Sequence, residues 1–158
     1  MEEKTNVMRI LEQKKIPYTA HNYAHTSAVS GMEVAEALGQ KPPQVFKTLV
    51  TVGRSKANYV FVIPVAKELD LKKAAKSVGE KSIEMLKSKE LLPLTGYVHG
   101  GCSPIGMKKF LKTTIDVSAK DWETIIFSAG KIGYQVELTL DELEKVIRFQ
   151  LADVTVEA

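Results

Sequence analysis

Apolar positions recur along this chain with two different periods. Val7, Met8, Ile10 and Leu11 form a stripe at helical spacing behind Thr5, whose hydroxyl can accept a free backbone N–H, so a helix is expected from Thr5 to about Lys15. Pro17 ends it and opens an extended segment, Tyr18 to Tyr23. Ser30-Gly31-Met32-Glu33 has the spacing by which a hydroxyl and a carboxylate satisfy each other's backbone donors. A short helix through Val34, Ala35, Ala37 and Leu38 should follow and stop at Gly39. Pro42-Pro43 then bars any continuation.

The period next shortens to two. Val45–Val52 and Tyr59–Val65 read as strands, and Gly53-Arg54-Ser55-Lys56-Ala57-Asn58 between them reads as a hairpin turn. Asp70 can cap a helix over Leu71–Val78, and a second short helix is expected near Lys87–Leu91. Thr114–Val117, Thr124–Phe127 and Tyr134–Leu138 have strand character. Thr139-Leu140-Asp141-Glu142 opens another helix, expected to reach about Phe149 with Leu140, Leu143, Val146 and Ile147 inward, and Leu151–Val156 reads as a last strand. Hairpin-joined strands with irregularly placed helices indicate an α+β fold with a mixed, mostly antiparallel sheet surrounded by short helices. Regular strand–helix alternation is missing, which disfavours a doubly wound sheet. With no linker or repeat in sight, one domain is expected to cover residues 1–158.

A hydrophobic share of 44% and a charged share of 26% describe a globular chain with a sizeable core. No apolar run approaches the roughly 20 residues that cross a bilayer, and Met1-Glu2-Glu3-Lys4 does not begin a signal peptide, so a cytoplasmic protein with no membrane partner is expected. Cys102 is the single cysteine, which rules out an internal disulfide and any CxxC centre. The net charge of +3 is unevenly spread. Residues 67–112 hold ten Lys against five Asp/Glu, while residues 113–158 hold four Lys/Arg against nine Asp/Glu. One face can therefore be basic enough to meet a polyanion, although lysines such as Lys67, Lys72, Lys73, Lys76, Lys87 and Lys89 could equally solvate helix surfaces.

Candidate chemistry gathers at three places. Gly100-Gly101-Cys102-Ser103-Pro104-Ile105-Gly106 packs three glycines, a proline and a serine into seven residues, more than a hairpin needs. Such a loop lets backbone N–H groups approach an anion or a carbonyl oxygen. Lys47 lies on a strand among apolar neighbours, where an ammonium is costly unless it reaches water or an anionic partner. It reads either as a lysine holding a phosphate or polarised carbonyl in a cleft, or as an edge-strand lysine snorkelling to solvent. Ser128-Ala129-Gly130-Lys131-Ile132-Gly133 is a second small-residue loop; it lacks the Walker spacing but could form the opposite wall of a site containing Gly101.

Cys102 could itself be a nucleophile, although no protease-type signature surrounds it, and Ser103 lacks the G-x-S-x-G context of a hydrolase elbow. His21 and His25 on an extended segment would stand about 13 Å apart, too far for one zinc ion unless the chain turns between them, and no carboxylate–His pattern supports a catalytic metal, so none is expected. His99 beside the glycine loop has no independent reason to be a base.

Val45-Phe46-Lys47-Thr48-Leu49, the Gly100–Gly106 loop with Met107-Lys108-Lys109, and Phe127-Ser128-Ala129-Gly130-Lys131 together resemble the YbaK-type Cys-tRNA(Pro) deacylases, relatives of the editing insertion domain of bacterial prolyl-tRNA synthetase. The similarity runs from the first helix to the last strand. It implies a strongly curved mixed sheet, no cofactor, and hydrolysis of cysteine mischarged onto proline tRNA, with prolyl-tRNA synthetase as a partner. It also implies that Lys47 is the essential residue, that Gly100, Gly101, Cys102, Ser103 and Pro104 receive the aminoacyl end, and that Ser128 and Gly130 face them. Relatives that edit alanine carry a histidine in the site; none follows His99 here, which favours the cysteine-editing branch. The chemistry implied is attack by the substrate's own thiol on its ester. Two other readings stand beside it: a non-catalytic module that binds the tRNA end, and a hydrolase using Cys102 directly.

Overall fold

In a computed structural model of the chain, residues 4–157 are described. Helix α1 (Asn6–Gln13) starts where Thr5 Oγ1 accepts the Met8 N–H at 3.2 Å, and it buries Val7, Met8 and Leu11. Strand β1 (Thr19–Asn22) follows, and α2 (Gly31–Ala37) begins with both halves of the Ser30/Glu33 capping box formed. The hairpin of β2 (Phe46–Gly53) and β3 (Asn58–Pro64) is antiparallel from Phe46↔Pro64 to Val52↔Asn58. Then come α3 (Leu71–Val78), β4 (Ile83–Met85), α4 (Ser88–Thr95), β5 (Lys112–Asp116), β6 (Ile125–Ser128), β7 (Tyr134–Leu138), α5 (Leu140–Glu144) and β8 (Gln150–Ala152).

The strands form two sheets. One runs β4-β2-β3-β5-β8, antiparallel around β2 and parallel from β3 onward. The other is the antiparallel trio β1-β7-β6. The single sheet expected above is thus divided, with an isolated parallel bridge, Val45↔Ile126, linking its halves. Proline explains the division: Pro42 and Pro43 have no N–H to donate, so β2 cannot extend its ladder backward along β6. The mixed, mostly antiparallel pairing is as expected.

Side-chain alternation sorts the hairpin between two cores. Phe46, Val50, Val60 and Val62 enter the main core with α1, β6 and β7, while Leu49, Phe61 and Ile63 pack beneath α3. A third cluster of Ala35, Val45, Val65 and Ile126 seals the junction between the sheets. Three elements depart from the sequence reading. Helix α4 begins near the expected place but runs on through Pro93 to Thr95. Helix α5 stops at Glu144, well short of Phe149, because Val146 and Ile147 bond back to Leu143 in a closing turn that delivers the chain to β8. The last strand ends at Ala152, where the chain turns so that the Val154 N–H donates to Asp116 Oδ1 at 3.1 Å. Strand β4, three residues with only Ile83 buried, carries too little pattern to be read.

Asp116 also accepts the Ser118 N–H and hydroxyl while only 3% exposed, so one carboxylate ties β5 to the C-terminal segment. Asp116→Ala should lower unfolding free energy by about 2–4 kcal/mol, the loss of a cap plus a stranded buried N–H. In a denaturant titration the midpoint should fall at constant slope; a loss below about 0.5 kcal/mol would show that the carboxylate is dispensable.

Candidate active site

A cleft of about 730 Å³ opens where β2, the first turn of α2, the start of α4, the 99–102 loop and the end of β6 converge. Lys47, His99, Gly100, Cys102 and Ser128 all line it, so three segments up to 81 positions apart in sequence meet in one place. Lys47 is half-buried on β2 opposite Ile63. Burial pulls its pKa below the ordinary lysine value, and the negative charge of Glu68 only partly opposes this. Among the described residues Lys47 has no ion pair and no side-chain hydrogen bond. Next to it, the Thr48 hydroxyl is buried without a partner. A cation and an unused hydroxyl thus share one strand in the cleft wall.

The two small-residue loops abut. A Cβ built on Gly101 would lie 3.2 Å from the backbone N of Ile132, so glycine is what lets these loops close on one another. Gly100 has φ 88°, and the Gly101 N–H donates to Val98 O at 3.0 Å, closing a turn. The Gly101 amide is therefore already occupied. The amides of Gly100 and Cys102 have no protein acceptor among the described residues, and both residues line the cleft. Ser103 is fully buried, its Oγ accepting the Ile105 N–H at 3.3 Å, with Pro104 buried beside it. Gly130 has φ 90°, donates its N–H to Ser128 Oγ at 3.1 Å, and lies where a Cβ would come within 2.9 Å of the Tyr97 ring. Gly101, Ser103, Pro104 and Gly130 do not line the cleft; they shape the loops that carry the residues that do.

Cys102 reaches the cleft but is buried, and the loss of water pushes its thiol up to about 12. It stays protonated near neutral pH and is a poor nucleophile. His21 and His25 stand outside the cleft; His21 Nε2 is 2.7 Å from Glu137 Oε1, bracing β1 against β7. Several lining residues escaped the sequence reading. Gln135 is only 5% exposed, pairs with Ser128 across β6 and β7, and accepts from Gln40 Nε2 at 2.8 Å. Strand alternation put Gln135 on a polar face with Glu137, and nothing in the sequence shows that this face is covered. Tyr23 and the Ser30–Glu33 turn also line the cleft; the capping box located the turn but not its neighbour.

Residues 25–146 match the model of the aminoacyl-tRNA editing domain. This chain belongs to that family. The editing domain has a relative in Enterococcus faecalis, EbsC, named as a candidate Cys-tRNA(Pro)/Cys-tRNA(Cys) deacylase; it is 48% identical over 158 residues, covering 98% of this chain and 94% of the relative. Over 102 residues the editing domain is 30% identical to the proline–tRNA ligase of Shouchella clausii, covering 65% of this chain and 18% of the ligase. Among solved structures it matches a candidate trans-editing enzyme for prolyl-tRNA synthetase with a TM-score of 0.84 at 25% identity, over 98% of this chain and all of the other. No helix of the described residues is long and apolar enough to cross a membrane.

An unpaired, half-buried ammonium costs the native state stability. Lys47→Met should therefore leave the unfolding midpoint unchanged or higher. A drop of more than about 1 kcal/mol would mean that the charge has a stabilising partner in the fold.

Proposed function

We propose that this editing domain cleaves the ester joining cysteine to tRNA(Pro), using the cysteine's own thiol as nucleophile. The observation that carries this reading is a cleft with a cation, free amides and hydroxyls whose one protein thiol, Cys102, is held protonated by burial. A site so equipped binds and polarises an ester but leaves the attack to its cargo. The substrate thiol forms a C–S bond at the ester carbonyl, and the C–O bond to the 3′-terminal ribose breaks. The proton leaves with the ribose hydroxyl, and water later opens the cyclic thioester to free cysteine.

Holding the reacting atoms together supplies an effective molarity of roughly 10⁵–10⁸ M, so positioning is the main task left to the protein. In this reading the Gly100 and Cys102 amides, which have no protein acceptor among the described residues, donate to the developing oxyanion together with the Ser128 hydroxyl, a role supported by their shared place in the cleft lining. Lys47 holds the ester or the terminal phosphate electrostatically. Gly101, Ser103, Pro104 and Gly130 support this arrangement as positioning residues. Selection of tRNA(Pro) falls to a prolyl-tRNA synthetase acting beside the domain, a reading supported by the similarity to part of a proline–tRNA ligase. The reaction belongs in the cytoplasm, where charged tRNA is found.

The test is a deacylation panel with purified protein. Cys-tRNA(Pro) should be cleaved, while Ser-tRNA(Pro), Pro-tRNA(Pro) and S-methylcysteinyl-tRNA(Pro) should persist near their spontaneous rates. Equal cleavage of the S-methyl ester would falsify thiol attack. Salt-sensitive tRNA binding with no cleavage at all would make the domain a binding module. Lys47→Ala should lose about 10²–10³ in rate, the scale of one electrostatic contact to a transition state. Cys102→Ser should retain most activity, and its inactivation would restore the direct-nucleophile reading.

The pH profile has a sign on each limb. Activity should rise as the substrate thiol ionises, near ~8.5 for a free cysteine. Burial lowers the Lys47 pKa, so its positive charge is lost before the ~10.4 of an exposed lysine, and activity should fall there. The falling limb should be absent from the residual activity of Lys47→Ala.

A further inference from the structure

Helix α4 forms one wall of the cleft through Ser88 and Leu91, and it exposes Lys89 and Leu92 to solvent. After the glycine loop the chain returns along this helix: the Lys108 N–H donates to Thr95 O at 3.1 Å and Lys108 Nζ reaches Pro93 O at 3.4 Å. The return brings Lys108 and Lys109 beside the helix that carries Lys89. Among the described residues none of these three lysines meets a carboxylate. On α3, Lys73 is paired with Asp153 at 3.0 Å and Glu157 at 3.8 Å, while Lys72 and Lys76 have no ion pair among the described residues. What distinguishes Lys89, Lys108 and Lys109 is their place on and beside α4, a wall of the cleft, with no ion pair among the described residues.

Interleaved with these lysines are exposed apolar side chains. Phe110 is 67% exposed, Leu92 51% and Val98 48%. A solvent-facing aromatic ring flanked by unpaired lysines suits a nucleic-acid strand, whose bases stack on the ring while its phosphates meet the ammonium groups. An acidic protein surface would match the charge alone and make no use of an isolated aromatic ring.

We infer that the outer face of α4 and the 108–110 return segment form the docking surface for the acceptor arm of the tRNA, with Lys89 and Lys109 on phosphates and Phe110 stacked on an unpaired base near the 3′ end. This rests on the cleft being the ester-cleaving site, because the surface borders that cleft and would lead the 3′ terminus into it. Lys89, Lys109 and Phe110 do not line the cleft and make no side-chain hydrogen bond among the described residues.

The experiment compares the intact protein with Lys89→Gln/Lys109→Gln and with Phe110→Ala. Binding of uncharged tRNA(Pro) is measured across a salt series, and deacylation is measured on Cys-tRNA(Pro) and on 3′-O-cysteinyl adenosine. The double variant should bind tRNA about tenfold more weakly at ~0.1 M salt, with the log–log salt slope reduced by roughly 1–2. Phe110→Ala should weaken binding by about tenfold with an unchanged slope. All variants should cleave the adenosine ester as the parent does and unfold at the parent's midpoint.

Parental tRNA affinity and salt slope in the double variant would overturn the proposal while leaving the cleavage reading intact. Loss of prolyl-tRNA synthetase binding with tRNA binding preserved would also overturn it, assigning the surface to protein docking. If the parent cleaves neither ester but the variants still lose tRNA affinity, the surface stands and the chemistry proposed for the cleft fails.

Discussion

A positive charge half-withdrawn from water is costly unless its long side chain keeps the ammonium near solvent or an anion. Strand β2 carries this charge on backbone bonded to β3 along seven register pairs, while β4 pairs only with its far end, Thr51–Gly53, and leaves the Lys47 end beside the cleft. Its alternate side chains are anchored in two separate cores, Phe46 and Val50 in one and Leu49 in the other. Lys47 lies between these anchors, so the position of its backbone is set by both cores. The remainder of the cleft is arranged around this fixed cation: α2 and the sheet junction at one end, α4 and the glycine loop along the side, and β6 with β7 across from it.

How the glycine loop reaches this place follows from close packing. Two backbone segments distant in sequence approach to a separation that leaves room for no side chain at Gly101. Tyr97, buried with its hydroxyl on Ile105 O, fills the space behind both loops and limits Gly130 to a conformation that a side chain would oppose. The loop residues therefore divide into two kinds. Gly100, Cys102 and Ser128 face the cleft, while Gly101, Ser103, Pro104 and Gly130 hold them there.

Much of this could be read from residue order, and the reasons differ between elements. The caps at Thr5, Ser30, Asp70 and Thr139 form as their spacing demands, because a cap is local chemistry within four residues. The β2–β3 hairpin was equally plain, since its alternation runs unbroken and its turn is rich in polar residues. What escaped depends on tertiary cover. Gln135 looks like a surface residue until Gln40 reaches across to it, and β4 owes its existence to the neighbouring β2 rather than to its own residues. The division into two sheets was hidden for a related reason: Pro42 and Pro43 signal a break in the chain, but not which ladder the break interrupts. For the candidate site, the motifs picked out loops that the fold brings together at one cleft, whereas which of their residues line it came only with the fold.

The buried sulfur of Cys102 has a further consequence. A pocket that receives activated cysteine esters confronts any sulfhydryl of its own with an acyl donor, and an ionised thiol there would capture the acyl group as a stable enzyme-bound thioester. Keeping that sulfur protonated, in a dry and crowded setting, removes this side reaction along with the chance of a mixed disulfide with the released amino acid. Under the proposed reaction, the shielding that keeps the Cys102 thiol protonated is also what would let the protein handle a reactive thiol again and again without being consumed by it.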